Sequence, residues 1–326
     1  MATEIDEQLT KYLTDAHSIE EQALVQMRLA PRIAGDPGLA SIFREHWAET
    51  EGHERRMRER LEAHGGAPSR IKEVVMKAGG VGFALFASSQ PDTPGKLVAH
   101  AYSYEHLELA SYELLIRVAE RAGDDDTADA ARAIRHQEDA MARRLADSFD
   151  RAAEASLRAK RSDDPAQDLV KYLADAHAIE AQAIQLLERA PKLAGDTVLE
   201  QLYREHLDET YGQQRLVAQR LQAVGGSPNK LKDAAMRLGA LNWGTFFQSH
   251  PDTPGKLAAF SYAFEHLEIG GYELLARVAT RAGDEETARV AITIAAQERA
   301  AAARIARMWD RAVDASLREV GVGAGA

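Results

Sequence analysis

The chain has 326 residues, of which 28% are charged and 6% aromatic, and no cysteine. The missing thiols exclude disulfides, thiolate metal sites and Cys nucleophiles. A net charge of −11, with both signs interspersed, argues against a nucleic-acid partner, which would call for a basic stripe.

The low aromatic content, with abundant Ala and Leu, favours long helices over sheets. Apolar positions recur at helical spacing in four long stretches of the first half. The first runs from about Ile5 to Leu29, with Pro31 read as its stop. The second runs from about Gly38 to His64, introduced by Asp36-Pro37 and ended by Gly65-Gly66. The third follows Thr93-Pro94 and ends near Gly123, and the fourth runs from Asp124 to about Leu157. A long crossover between the second and third stretches contains SRIKEVVMKAGGVGFALF and reads as one or two shorter helices. Two short turns and one long crossover are the connectivity of a ferritin-like four-helix bundle.

The second half repeats the first. KYLTDAHSIEEQAL at Lys11 returns as KYLADAHAIEAQAI at Lys171, and YEHLELASYELL at Tyr104 returns as FEHLEIGGYELL at Phe264. The constant offset predicts an all-α chain of two tandem domains, 1–159 and 160–326, with the last few residues a flexible tail. The boundary falls in RAKRSDDPAQD. No apolar run is long enough to span a bilayer, and the opening MATEIDEQLT reads as neither signal peptide nor anchor. The expectation is a cytoplasmic protein without a membrane partner.

Charged groups on the inner face of a bundle need a reason. His17 and Glu20 share a face of the first helix; His46, Glu49 and His53 share a face of the second; Glu105 and Glu108 share a face of the third, with Tyr112 one turn on. The fourth contributes Glu138. All lie near mid-helix, so packing brings them to one level. Several carboxylates at one level repel one another and resist desolvation unless cations neutralise them. Carboxylates with imidazole suit two divalent ions, with iron foremost and manganese or zinc as alternatives. The second half keeps His177, Glu180, His206, Glu209, Glu265, Glu268, Tyr272 and Glu298 but has Gln213 for His53, Gln214 for Glu54 and Ala296 for His136. By this comparison His53 and His136 are the weaker candidates. His17 reads equally as a ligand or as a donor holding Glu20, His106 as a packing residue, and Tyr112 as core.

EHWAETEGHERRMRERLEAHG in the second helix, YEHLELASYELL in the third and an acid in the fourth together resemble the ferritin-like family typified by the bacterial YciF and YciE stress proteins. The resemblance covers essentially all of both halves. It implies a two-metal bundle site with Glu20, His46, Glu49, Glu105, Glu108 and Glu138 as ligand positions in the first domain. In the second domain it implies Glu180, His206, Glu209, Glu265, Glu268 and Glu298. Because the family associates as dimers, the duplication implies an intramolecular pseudo-dimer. The expected activity is oxidation of Fe(II), or removal of O2 or H2O2, in stress protection. The alternative is a non-catalytic helical stress or scaffold protein with structural or adventitious metal binding.

Overall fold

The computed structural model describes residues 4–67, 93–159, 164–227 and 253–322. The expected crossover helices, and the tail beyond residue 322, lie outside the described residues. Those residues form eleven helices. The chain divides into two compact units between residues 160 and 161.

In the first unit the helices are α1 (Glu4–Ile33), α2 (Pro37–Ala63), α3 (Thr93–Ala122), α4 (Asp125–Ala146) and α5 (Phe149–Ala159). The second unit has α6 (Pro165–Leu187), α7 (Ala190–Leu193), α8 (Thr197–Ala223), α9 (Thr253–Arg281), α10 (Glu285–Ala306) and α11 (Trp309–Glu319). In unit one α1 packs on α2 and α3, α3 packs on α4, and α4 closes the ring against α2. Unit two closes in the same way through α6, α8, α9 and α10. The core is built from residues such as Leu9, Leu13, Phe43, Met57, Leu115 and Ile134, none of them exposed.

Local chemistry sets the helix ends. The Asp36 carboxylate accepts from the backbone N–H of Gly38 (2.9 Å) and Leu39 (3.2 Å), capping α2 just before its first-turn Pro37. Gly35, in the turn before it, has φ +65°, and a Cβ there would lie 2.7 Å from Pro94 Cγ. A side chain is therefore refused twice, once by the backbone and once by the start of α3. Asp124 caps α4 and also accepts from Arg60 (2.9 Å) near the end of α2. His64 Nε2 lies 2.6 Å from the same carboxylate.

Two expected boundaries are corrected. Pro31 does not stop α1, which continues to Ile33. A proline so close to the C-terminus forfeits only one intrahelical bond. In unit two the corresponding helix is interrupted at Glu188-Arg189 before α7. The fourth helix is not continuous to Leu157, because α4 and α5 part at Asp147-Ser148. The break seats Phe149 against Tyr102, with ring centroids 5.5 Å apart, and Trp309 is placed likewise on Tyr262 at 5.4 Å. Among the described residues no helix is long and apolar enough to cross a membrane.

Candidate metal centre

Each side chain of the interior cluster comes from the middle of a helix. α1 supplies Glu20, α2 supplies His46 and His53, α3 supplies Glu105 and Glu108, and α4 supplies Glu138. His46 and all four glutamates are wholly inaccessible to solvent. His46 Nε2 lies 3.2 Å from Glu105 Oε2 and 3.5 Å from Glu138 Oε2. His53 Nδ1 lies 2.6 Å from Glu138 Oε1 and 3.8 Å from Glu20 Oε2. The potential ligand atoms fall into two overlapping groups, His46/Glu105/Glu108/Glu138 and Glu20/His53/Glu138, each with its atoms within 4.8 Å of one another. Glu138 belongs to both.

In unit two His206, Glu265 and Glu298 form the equivalent group. His206 Nε2 lies 2.9 Å from Glu265 Oε2 and 3.7 Å from Glu298 Oε2. Glu180 and Glu268 are buried beside them.

The donor set fits a cation. Both oxygens of Glu105, Glu108 and Glu138, together with Glu20 Oε2, His46 Nε2 and His53 Nδ1, are buried without an aligned hydrogen bond to any described residue. A buried polar group without a partner is strongly disfavoured, and a buried charge more so. Ionised, the four glutamates carry the charge of two divalent ions.

The cluster's electrostatics register the same crowding. Burial, reinforced by the charge of Glu138, pushes Glu20 up to about 8. Burial pushes Glu105 up to about 7 against the pull of His46, and lifts Glu108 well above the ordinary carboxylate range. Burial acts on Glu138 in the same sense, but the adjacent His53 and the charge of His46 outweigh it and hold Glu138 below that range. Unit two has Gln213 in place of His53, and Glu298 there is raised well above the range by burial and by Glu265. Burial opposes charge on His46, yet Glu105 and Glu49 raise it well above the ordinary imidazole value.

Two expected ligands stand apart. Glu49 is half-buried and faces His46 Nδ1 (3.1 Å), the ring nitrogen turned away from the cluster, while accepting from Arg144 (2.6 Å). The hydrogen bond to His46 and the charge and hydrogen bond of Arg144 outweigh its partial burial and hold it down at about 2. Glu209 repeats this between His206 Nδ1 (3.2 Å) and Arg304. Each carboxylate orients its imidazole and is excluded from the groups above.

His53, ranked lower by the comparison between halves, lies in the interior beside Glu138 and Glu20. It is 2% exposed and reaches Gln137 Oε1 through Nε2 (3.0 Å). Gln213 occupies the same place and donates to Gln297 (3.2 Å). Tyr112 is core, as expected, but its hydroxyl also donates to Glu20 Oε1, and Tyr272 does the same to Glu180. The signal was its place one turn beyond Glu108. His17 does not hold Glu20; it pairs with Glu54 at 2.8 Å. His106 Nδ1 bonds the Tyr102 carbonyl (2.7 Å), a packing role, and His136 is on the surface.

The fold and site define a chain of two helical bundles, each with buried His and Glu side chains that could hold a metal ion. It belongs to the family described as domain of unknown function (DUF892), which matches it twice, over residues 4–158 and 165–318. No solved structure matches the chain.

Proposed function

We propose that each unit is a ferritin-like centre for two divalent metal ions, iron foremost, used to oxidise Fe(II) or to consume O2 or peroxide in stress protection. The observation that carries this reading is the Glu108 carboxylate, wholly buried with neither oxygen hydrogen-bonded among the described residues. Among apolar residues such a group has no reason to persist; between cations it is a ligand. The resemblance to the YciF and YciE proteins supports the same reading.

In unit one His46, Glu105 and Glu108 would hold one ion, Glu20 and His53 the other, and Glu138, common to both groups, would serve both. In unit two His206, Glu265 and Glu298 would bind, with Glu180 and Glu268 beside them. Bound iron would supply the one-electron chemistry toward O2 or peroxide. The protein's part is to keep the site dry, hold the imidazoles by Glu49 and Glu209, and hold Glu20 and Glu180 by tyrosine hydroxyls. The duplication fits a covalent counterpart of a dimer.

The test is anaerobic loading with Fe(II), metal analysis, then exposure to O2 or H2O2 with absorbance and oxidant consumption followed. Oxidation faster than in protein-free buffer, lost in the Glu108→Ala, Glu268→Ala double variant, is the expected result. Metal uptake without accelerated oxidation would favour a structural metal and reject the oxidoreductase activity.

A further inference from the structure

Beside the interior cluster, α1 and α2 of the first unit bring together a second set of ligand-bearing side chains. His17, Glu21 and Glu54 each offer an atom within 4.8 Å of the others. His17 Nε2 lies 2.8 Å from Glu54 Oε1. The imidazole is 1% exposed and its Nδ1 has no hydrogen-bond partner among the described residues. The ring is thus tethered only from the side of the carboxylates, and its Nε2 is directed at them.

The geometry points to an additional divalent-cation site in the first unit, formed by His17, Glu21 and Glu54 and distinct from the interior cluster. One imidazole and two carboxylates suit a borderline transition ion such as Zn(II), Co(II) or Fe(II), and the two acids balance its charge. Glu21 follows Glu20 and Glu54 follows His53, so each is rotated by about 100° from the interior ligand next to it. The site therefore lies on the α1–α2 seam, beside the interior cluster. Arg58 donates to Glu54 Oε2 (2.5 Å) from a side chain 45% exposed; a cation would send it out into solvent.

Unit two isolates the feature. His177 is retained there, but Ala181, Gln214 and Ala218 stand at the positions of Glu21, Glu54 and Arg58. The same bundle forms without these acids, so they are dispensable to the fold, and the site is confined to unit one.

The experiment is titration of the full chain with Co(II), read by calorimetry and by the visible absorption of the bound ion. The variant Glu21→Ala with Glu54→Gln installs residues that unit two already carries in the same helices. It is expected to bind one equivalent fewer per chain. The reverse variant, Ala181→Glu with Gln214→Glu beside the existing His177, is expected to bind one more. Unchanged equivalents in both variants overturn this site even where the interior clusters bind. One equivalent that survives Glu108→Ala and Glu268→Ala but disappears on adding Glu21→Ala and Glu54→Gln supports it independently of the interior reading.

Discussion

His53 Nδ1 lies 2.6 Å from Glu138 Oε1, and this contact separates the two otherwise parallel centres. Glu138 is held below the ordinary carboxylate range, whereas Glu298, in the unit that has Gln213 at the position of His53, is raised well above it. Unit one therefore keeps its shared carboxylate ionised and supplies one more imidazole.

The affinities of the units should differ accordingly. Unit one, isolated by Glu268→Ala, should bind Mn(II) or Fe(II) more tightly than unit two, isolated by Glu108→Ala. His53→Gln should weaken unit one by at least about 10- to 100-fold, because losing a ligand costs no less than losing a residue that orients one. Calorimetric titration checks this; equal affinities, or a reversed order, would reject it.

The tyrosine hydroxyls bind carboxylates that have little else. Tyr112→Phe and Tyr272→Phe keep the ring but leave Glu20 Oε1 and Glu180 Oε1 without their donors. Each should destabilise the metal-free chain by about 1–3 kcal/mol at neutral pH, the penalty for an unsatisfied buried acceptor. Denaturant unfolding with chelator present measures it; no change in midpoint would show that these hydroxyls carry no energy.

The pH dependence without metal follows from the raised groups. Glu20 and Glu180 are pushed up to about 8 and Glu105 to about 7. Between the unfolded carboxylate value and those values the folded state binds more protons than the unfolded chain. Stability is therefore full at the acid side of that window and is lost as pH rises through 7 and 8. His46 and His206, also raised, act in the same direction. Thermal melts with chelator should give a higher Tm at pH 6 than at pH 8. A flat or inverted profile would mean that the acids are not clustered in a dry interior.

A structural control lies away from the centre. Asp124 caps α4 and is bonded to Arg60 of α2, so Asp124→Ala should lower stability by about 1–2 kcal/mol. Metal stoichiometry should stay unchanged; its loss would tie the helix end to the site.

The four-helix pattern was legible because apolar residues such as Leu9, Leu13, Tyr112 and Ile134 follow the helical period and are buried. Glu20, Glu105, Glu108 and Glu138 were legible because acids at matched depth conflict with a core. Rotation about an axis was not enough for Glu49, which shares a face with His46 but is drawn outward by Arg144, a partner on another helix. The interior place of His53 was not legible because a His-to-Gln difference between the halves does not show that both side chains are buried at that position. The break at Asp147-Ser148 was hidden because no proline or glycine marks it and the tertiary seat of Phe149 decides it.

The most direct test of the buried centre compares thermal stability, under anaerobic conditions at neutral pH, for the wild-type chain and a Glu108→Leu, Glu268→Leu variant, each with chelator and with Mn(II) or Fe(II). A metal that binds only the folded state should raise the wild-type Tm with increasing concentration. The variant, relieved of one buried carboxylate in each unit, should be more stable than wild type in chelator and should respond little to metal. Wild-type melting curves that coincide with and without metal, together with no gain from the leucines, would contradict the account.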